Sequence, residues 1–139
     1  MGKIVYDQEL MKTISFFEAM TGARVKDCFK EKDDTLTFVV EEGEIGKAIG
    51  RGGSNIRRLE TALNRKIKIV EFNPELTTFA RNLIMPLRAE KIELKDKVLF
   101  IKGGDAKIRG MLIGRDSKNL KSHEEIIKKY FDIEKIRVI

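Results

Sequence analysis

Apolar positions recur along this chain in two rhythms, helical and alternating. Leu10, Ile14, Phe17 and Met20 fall near helical spacing behind Asp7, which predicts a helix over 7–21, capped by Asp7 and ended by Gly22. Residues 24–32 and 35–41 read as strands of a hairpin turning at Asp33-Asp34. A short helix over 44–49, a glycine-rich loop, a helix over 54–63 with the stripe Ile56, Leu59 and Leu63, and a strand over 66–72 complete the first half.

The same order returns in the second half. Asn73-Pro74-Glu75 supplies a cap, a first-turn proline and an acid ahead of a helix through Leu76, Phe79, Leu83 and Ile84, which Pro86 stops. Strands over 87–95 and 98–102 meet at Asp96-Lys97. Helices over 105–113 and 117–131, the second with Leu120, Ile127 and Phe131 on one face, precede a strand over 134–139. A shift of 64 residues, from Gly50 to Gly114, lays GKAIGRGGSNIRRLE over GMLIGRDSKNLKSHE. The identities are Gly46/Gly110, Ile49/Ile113, Gly50/Gly114, Arg51/Arg115, Asn55/Asn119 and Glu60/Glu124. The expectation is an α+β protein of two units, 1–73 and 74–139, each α-β-β-α-α-β.

Composition narrows the function. With 42% apolar and 36% charged residues the chain is predicted to fold. No apolar run approaches the roughly 18 residues that span a bilayer, and the opening residues lack the apolar core of a signal peptide, so a soluble, cytoplasmic protein with no membrane partner is expected. One cysteine, Cys28, and one histidine, His123, exclude an internal disulfide and do not make up a usual zinc ligand set. Both are read as structural residues without chemistry. Net charge is +6, and seven basic residues against the single acid Glu60 lie between Ile45 and Lys68. Charge gathers around the glycine loop, which favours an anionic partner.

Spacing limits what IGKAIGRGGSNIRR can hold. No Gly-Lys-Ser/Thr occurs in the chain, so it has no Walker A loop, and Gly50-Arg51-Gly52 is followed three positions later by Asn55, which breaks the dinucleotide fingerprint. What remains is G-x-x-G, Gly50-Arg51-Gly52-Gly53, between two helices. Glycines there let a phosphodiester approach the backbone, beside the donors and positive dipole end of the following helix.

IGKAIGRGGSNI resembles the I-G-x-x-G-x-x-I core of the K-homology (KH) RNA-binding domain, and the element order is similar to its type II form. Two such units making up the whole chain resemble the short archaeal NusA-like transcription factors. The resemblance implies two tandem type II KH domains, each a three-stranded sheet packed by helices, with the loop gripping the backbone of about four single-stranded nucleotides. Carried onto this sequence, Lys47, Gly50, Arg51, Gly52, Gly53, Ser54, Arg57 and Arg58 are candidate RNA contacts, and Ile49 and Ile56 support the groove floor. In the second unit Gly114, Arg115 and Lys118 are the corresponding candidates. There the loop reads Gly114-Arg115-Asp116-Ser117: a side chain at Ser117 restricts the backbone, Asp116 repels phosphate, and either residue is a candidate cap for the next helix.

The chain is accordingly expected to be a monomeric, non-enzymatic binder of single-stranded RNA, the nascent transcript, with a NusA-like role in transcription termination or elongation. RNA polymerase is a candidate second partner, and no cofactor, metal or catalytic residue is expected. The competing reading is an assembly module of ribosome or polymerase complexes in which RNA contact is secondary.

Overall fold

The computed structural model describes residues 8–31 and 33–139 of the chain. The predicted cap Asp7 and strand residue Lys32 lie outside them. The chain divides into two compact units between Asn73 and Pro74. Each runs α-β-β-α-α-β, as predicted, around its own three-stranded mixed sheet.

In the first unit, α1 (Gln8–Thr21) leads into the antiparallel pair β1 (Val25–Lys30) and β2 (Leu36–Val40). Gly22, at φ +75°, lets the chain leave the helix in a left-handed conformation. After α2 (Ile45–Ile49) and α3 (Ser54–Leu63), β3 (Ile67–Glu71) returns parallel to β2. A parallel pair requires such a crossover, so the two helices and their loop follow from the pairing. Alternation along β2 turns Leu36, Phe38 and Val40 toward the helices, where they meet Phe17, Ala48, Leu59 and Ile67 in one core. Phe17 and Phe38 stack with ring centroids 4.2 Å apart. Burial of each ring contributes about 2–3 kcal/mol.

Cys28 lies in the same core, as a buried strand residue. Burial, reinforced by the neighbouring Asp27 carboxylate, pushes its thiol pKa up to about 12. Because the folded value lies above the ordinary value of 9.0, the neutral thiol favours the fold below pH 9 and this contribution is lost as pH rises toward 12. We expect native protein at pH 8 to resist iodoacetamide and urea-unfolded protein to be alkylated readily. Equal rates in the two states, followed by mass spectrometry, would contradict the burial argument.

The second unit repeats the plan with α4 (Leu76–Ile84), the hairpin β4 (Lys91–Lys95) and β5 (Val98–Lys102), helices α5 (Ala106–Ile113) and α6 (Lys118–Tyr130), and β6 (Lys135–Val138) parallel to β5. Asp96 and Lys97 both have positive φ, the two-residue turn that matches strand twist. Phe79 of α4 packs against Tyr130 and Phe131 at centroid separations of 5.6 and 5.8 Å.

Three local readings need correction. Glu75, not Asn73, is the residue before α4, and the Asn73 amide donates to Glu42 Oε2 at 3.3 Å. Residues 87–90 do not begin the strand, since the Leu87 N–H bonds back to Ile84 O and pairing starts at Lys91. On α6 both Ile126 and Ile127 are buried, whereas Leu120 and Phe131 are half-buried. Among the described residues, no helix is long and apolar enough to cross a membrane.

Candidate functional site

The glycine loop joins α2 to α3 through a 3₁₀ turn, Arg51–Gly53. Gly50 closes α2 at φ 77°, ψ 168°, a region open essentially to glycine alone. A Cβ on Gly50 would stand 2.8 Å from Asn55 Cγ and 2.9 Å from Asn55 N. Asn55 is held there because its side-chain amide donates to Lys47 O at 2.8 Å. One residue of α3 thus ties down the end of α2 and fixes the turn between them.

The second loop has the same lock. Gly114 sits at φ 75°, ψ 171°, a Cβ there would meet Asn119 Cγ at 2.7 Å, and the Asn119 amide donates to Met111 O at 2.9 Å. The expectation that Ser117 restricts the backbone is overturned. Asp116 (φ 55°, ψ 31°) and Ser117 (φ 61°, ψ 22°) adopt the conformations of Gly52 (φ 60°, ψ 23°) and Gly53 (φ 78°, ψ 14°). Side-chain capping by Ser117 is also corrected: it precedes α6 without a side-chain cap bond. The cap observed in this unit is Asp105, whose Oδ1 accepts from Ile108 N at 2.8 Å at the start of α5. The two loops therefore share a backbone and differ in side chains.

Around the first loop, Arg51 and Gly52 are exposed, Gly53 and Ser54 are half-exposed, and a Cβ on Gly52 would meet nothing within 4 Å. As the first residues of a helical turn, Arg51 and Gly52 have no intrahelical acceptor for their N–H groups. Arg57 folds back from α3 and donates to Gly52 O at 2.7 Å, which brings its guanidinium to the loop, while Arg58 is exposed one position further round the helix. Lys47 is exposed on α2 and pairs with Glu44 at 3.5 Å. The Arg24 N–H, bonded to Glu44 Oε1 at 2.8 Å, and secondarily Lys47 hold the Glu44 carboxyl below its usual range. Ile49 and Ile56 are half-buried beside the loop. In the second unit Arg115 and Lys118 are exposed and Gly114 is half-buried.

Not every basic residue counted around the loop belongs to it. Lys68 lies on β3 opposite Thr37, and burial lowers its ammonium pKa against the opposing pull of Glu31. It is part of the sheet.

The repeat identities now separate into kinds. Gly50/Gly114 and Asn55/Asn119 build the lock. Glu60 and Glu124 accept the N–H of Ile67 and Ile136 at 3.1 and 2.8 Å, tying a helix to the closing strand of each unit. Sequence reasoning assigned no role to Asn55 or Glu60, although their matches at Asn119 and Glu124 were the available signal. Arg51/Arg115 and Gly46/Gly110 have no such use among the described residues. Both arginines are exposed, and a Cβ on either helical glycine would find open space. Among the described residues, no group of three His, Cys, Asp or Glu side chains is placed to hold a metal.

Residues 12–99 match the family model of the KH domain. The probable transcription termination protein NusA of Methanocaldococcus jannaschii is 35% identical over 136 residues, covering 95% of this chain and 73% of that protein. The protein of the same name from Halobacterium salinarum is 31% identical over 132 residues, 94% of each chain. The crystal structure of APE1850 superposes with a TM-score of 0.74 at 31% identity, over 96% of this chain and 99% of that one. Fold, repeat and these similarities agree that the chain belongs to the KH-domain family and is an archaeal NusA-like member of it.

Proposed function

We propose that this protein binds single-stranded RNA on the nascent transcript and acts in transcription termination or elongation, with the loop Gly50–Gly53 as its principal clamp on the RNA backbone. The family is non-enzymatic, and termination is the role named for the relatives. In this reading residues 1–73 and 74–139 are two KH domains, and the protein works in the cytoplasm as a monomer, with RNA polymerase as a partner.

The observation that carries the proposal is a loop whose shape is fixed from behind while its outer face is left bare. Arg51 is exposed in the loop, Arg57 reaches it at Gly52 O, and Lys47 and Arg58 are exposed on the two helices that flank it, with Glu44 as the counter-charge paired to Lys47. Gly46 supports the same reading. A glycine inside a helix costs about 1 kcal/mol relative to alanine, and a Cβ at position 46 would meet nothing within 4 Å among the described residues, so a ligand lying close against α2 accounts for its use.

Arg51→Ala is expected to weaken binding of a single-stranded RNA oligonucleotide about three- to tenfold and to reduce its salt dependence by about 0.7 in the log–log slope, one phosphate contact. Arg115→Ala should do less, because Asp116 stands beside it. Anisotropy titrations across salt concentrations decide the matter: silence of Arg51→Ala with loss on Arg115→Ala would reverse the ranking of the loops. Crosslinking in cells, with sequencing of the captured RNA, tests the transcript assignment, which fails if the crosslinked RNA is mature ribosomal RNA alone.

A further inference from the structure

We infer that the outer face of the second unit's sheet is a second surface for single-stranded RNA, distinct from the loops and not dependent on the loop reading. Alternation along the strands turns Ile92, Leu99, Ile101 and Ile136 inward, where they are buried. Their neighbours form the opposite face. The pairing sets Lys91 opposite Lys102, Phe100 between Glu93 and Arg137, and Val98 between Lys95 and Lys135. Five cations therefore share this face with Glu93, and Glu90 reaches Lys102 at its end.

A sheet open to water normally presents polar side chains, but not of one sign. Lys91 and Lys102 directly oppose each other, an arrangement that costs stability. Glu93 lies 3.6 and 3.4 Å from Lys91 and Lys95, and Glu90 lies 3.0 Å from Lys102, yet these are exposed pairs of small effect. Lys135 and Arg137 have no acidic partner among the described residues. Basic residues on edge strands also deter unwanted strand pairing, which accounts for those of β4 and β6. It does not account for Lys102 or Phe100, both on the central strand. The outer face of the first sheet carries buried Asp27, Thr37, Val39 and Val70 with Phe29 and the single cation Lys68, so the cluster of five cations is peculiar to the second unit.

Phe100 selects the class of polyanion. It is half-buried in the middle of the face, flanked across the strands by Glu93 and Arg137. A ring on a sheet with Arg137 across the strand and Lys102 two residues along is a platform on which a base stacks while flanking phosphates meet lysine and arginine. An acidic protein segment would use the charges but not the ring.

The test uses the full chain and a fluorescein-labelled single-stranded RNA 20-mer of mixed sequence, titrated by anisotropy at several salt concentrations. The variant Lys135→Gln/Arg137→Gln alters exposed side chains only. It is expected to weaken binding about tenfold at low salt and to lower the salt slope by about 1.4, in both the parent and a Gly52→Asp background. Phe100→Leu, which keeps apolar bulk, is expected to weaken binding about fivefold at high salt, where the charge contribution is screened. An unchanged slope in both backgrounds overturns the proposal. So does binding of poly-glutamate with the same dependence on Lys135 and Arg137 while Phe100→Leu is silent, which would make the face an acidic-protein surface. A silent Gly52→Asp beside an intact effect of the sheet variant would instead count against the loop alone and support the sheet.

Discussion

Replacing Gly50 by alanine is expected to cost about 3 kcal/mol or more and to lower the melting temperature by ~10 °C. Two costs add. The φ 77°, ψ 168° conformation excludes a side chain, and the new Cβ would stand 2.9 Å from a backbone nitrogen, Asn55 N, which cannot swing aside as a side-chain tip can. Relief requires moving α3 away from α2, which breaks the Asn55–Lys47 bond and disturbs Leu59, fully buried in the core. Gly46→Ala, four residues earlier in open space, is the matched control and should be neutral or stabilising by up to ~1 kcal/mol. Far-UV circular dichroism melts of the full chain compare the two. A Gly50→Ala melting temperature within ~2 °C of the parent would mean that the lock does not hold the loop.

Gly52→Asp is expected to reduce single-stranded RNA affinity by about tenfold or more without unfolding the protein. The fold tolerates the change, because Asp116 already occupies the equivalent conformation in the second unit and a Cβ at position 52 meets nothing within 4 Å. The loss is electrostatic. A carboxylate about 4 Å from a phosphate is repelled by roughly 1 kcal/mol in bulk water and about 4 kcal/mol near a protein surface, and 1.4 kcal/mol is already tenfold. The reciprocal change, Asp116→Gly, should strengthen binding at the second loop. If Gly52→Asp melts like the parent and binds RNA equally well, the loop is not a phosphate clamp.

The fold was legible because its amphipathic stripes are regular. Leu10, Ile14 and Phe17 mark one helix face, short apolar runs mark β2 and β5, and the 64-residue repeat doubles the signal for the element order. The errors came where local chemistry is ambiguous. Asn73-Pro74 carries every mark of a helix start, yet its asparagine serves a long-range bond to Glu42 that no local pattern encodes. Residues 87–90 have the composition of a strand, but the ladder begins only at Lys91.

At the loop, the sequence pointed to the glycines but not to their different duties. Gly50 is required by contact with Asn55, whereas Gly52 is bare. Spacing alone cannot separate these, because both are simply glycine until the neighbouring helix is placed. The return of Arg57 to Gly52 O was likewise invisible, since it depends on a side-chain conformation. The restriction expected from Ser117 ignored that a rigid frame imposes left-handed geometry on residues that do not prefer it.

That imposed geometry has a use in protein engineering. Since the glycine–asparagine lock, rather than the two variable positions, dictates the curve of the turn, those positions form a socket that accepts different residue pairs without a change of shape. Exchanging Gly52-Gly53 with Asp116-Ser117 would recode the charge of each loop while keeping its path, so affinity could be moved from one half of the molecule to the other by four substitutions.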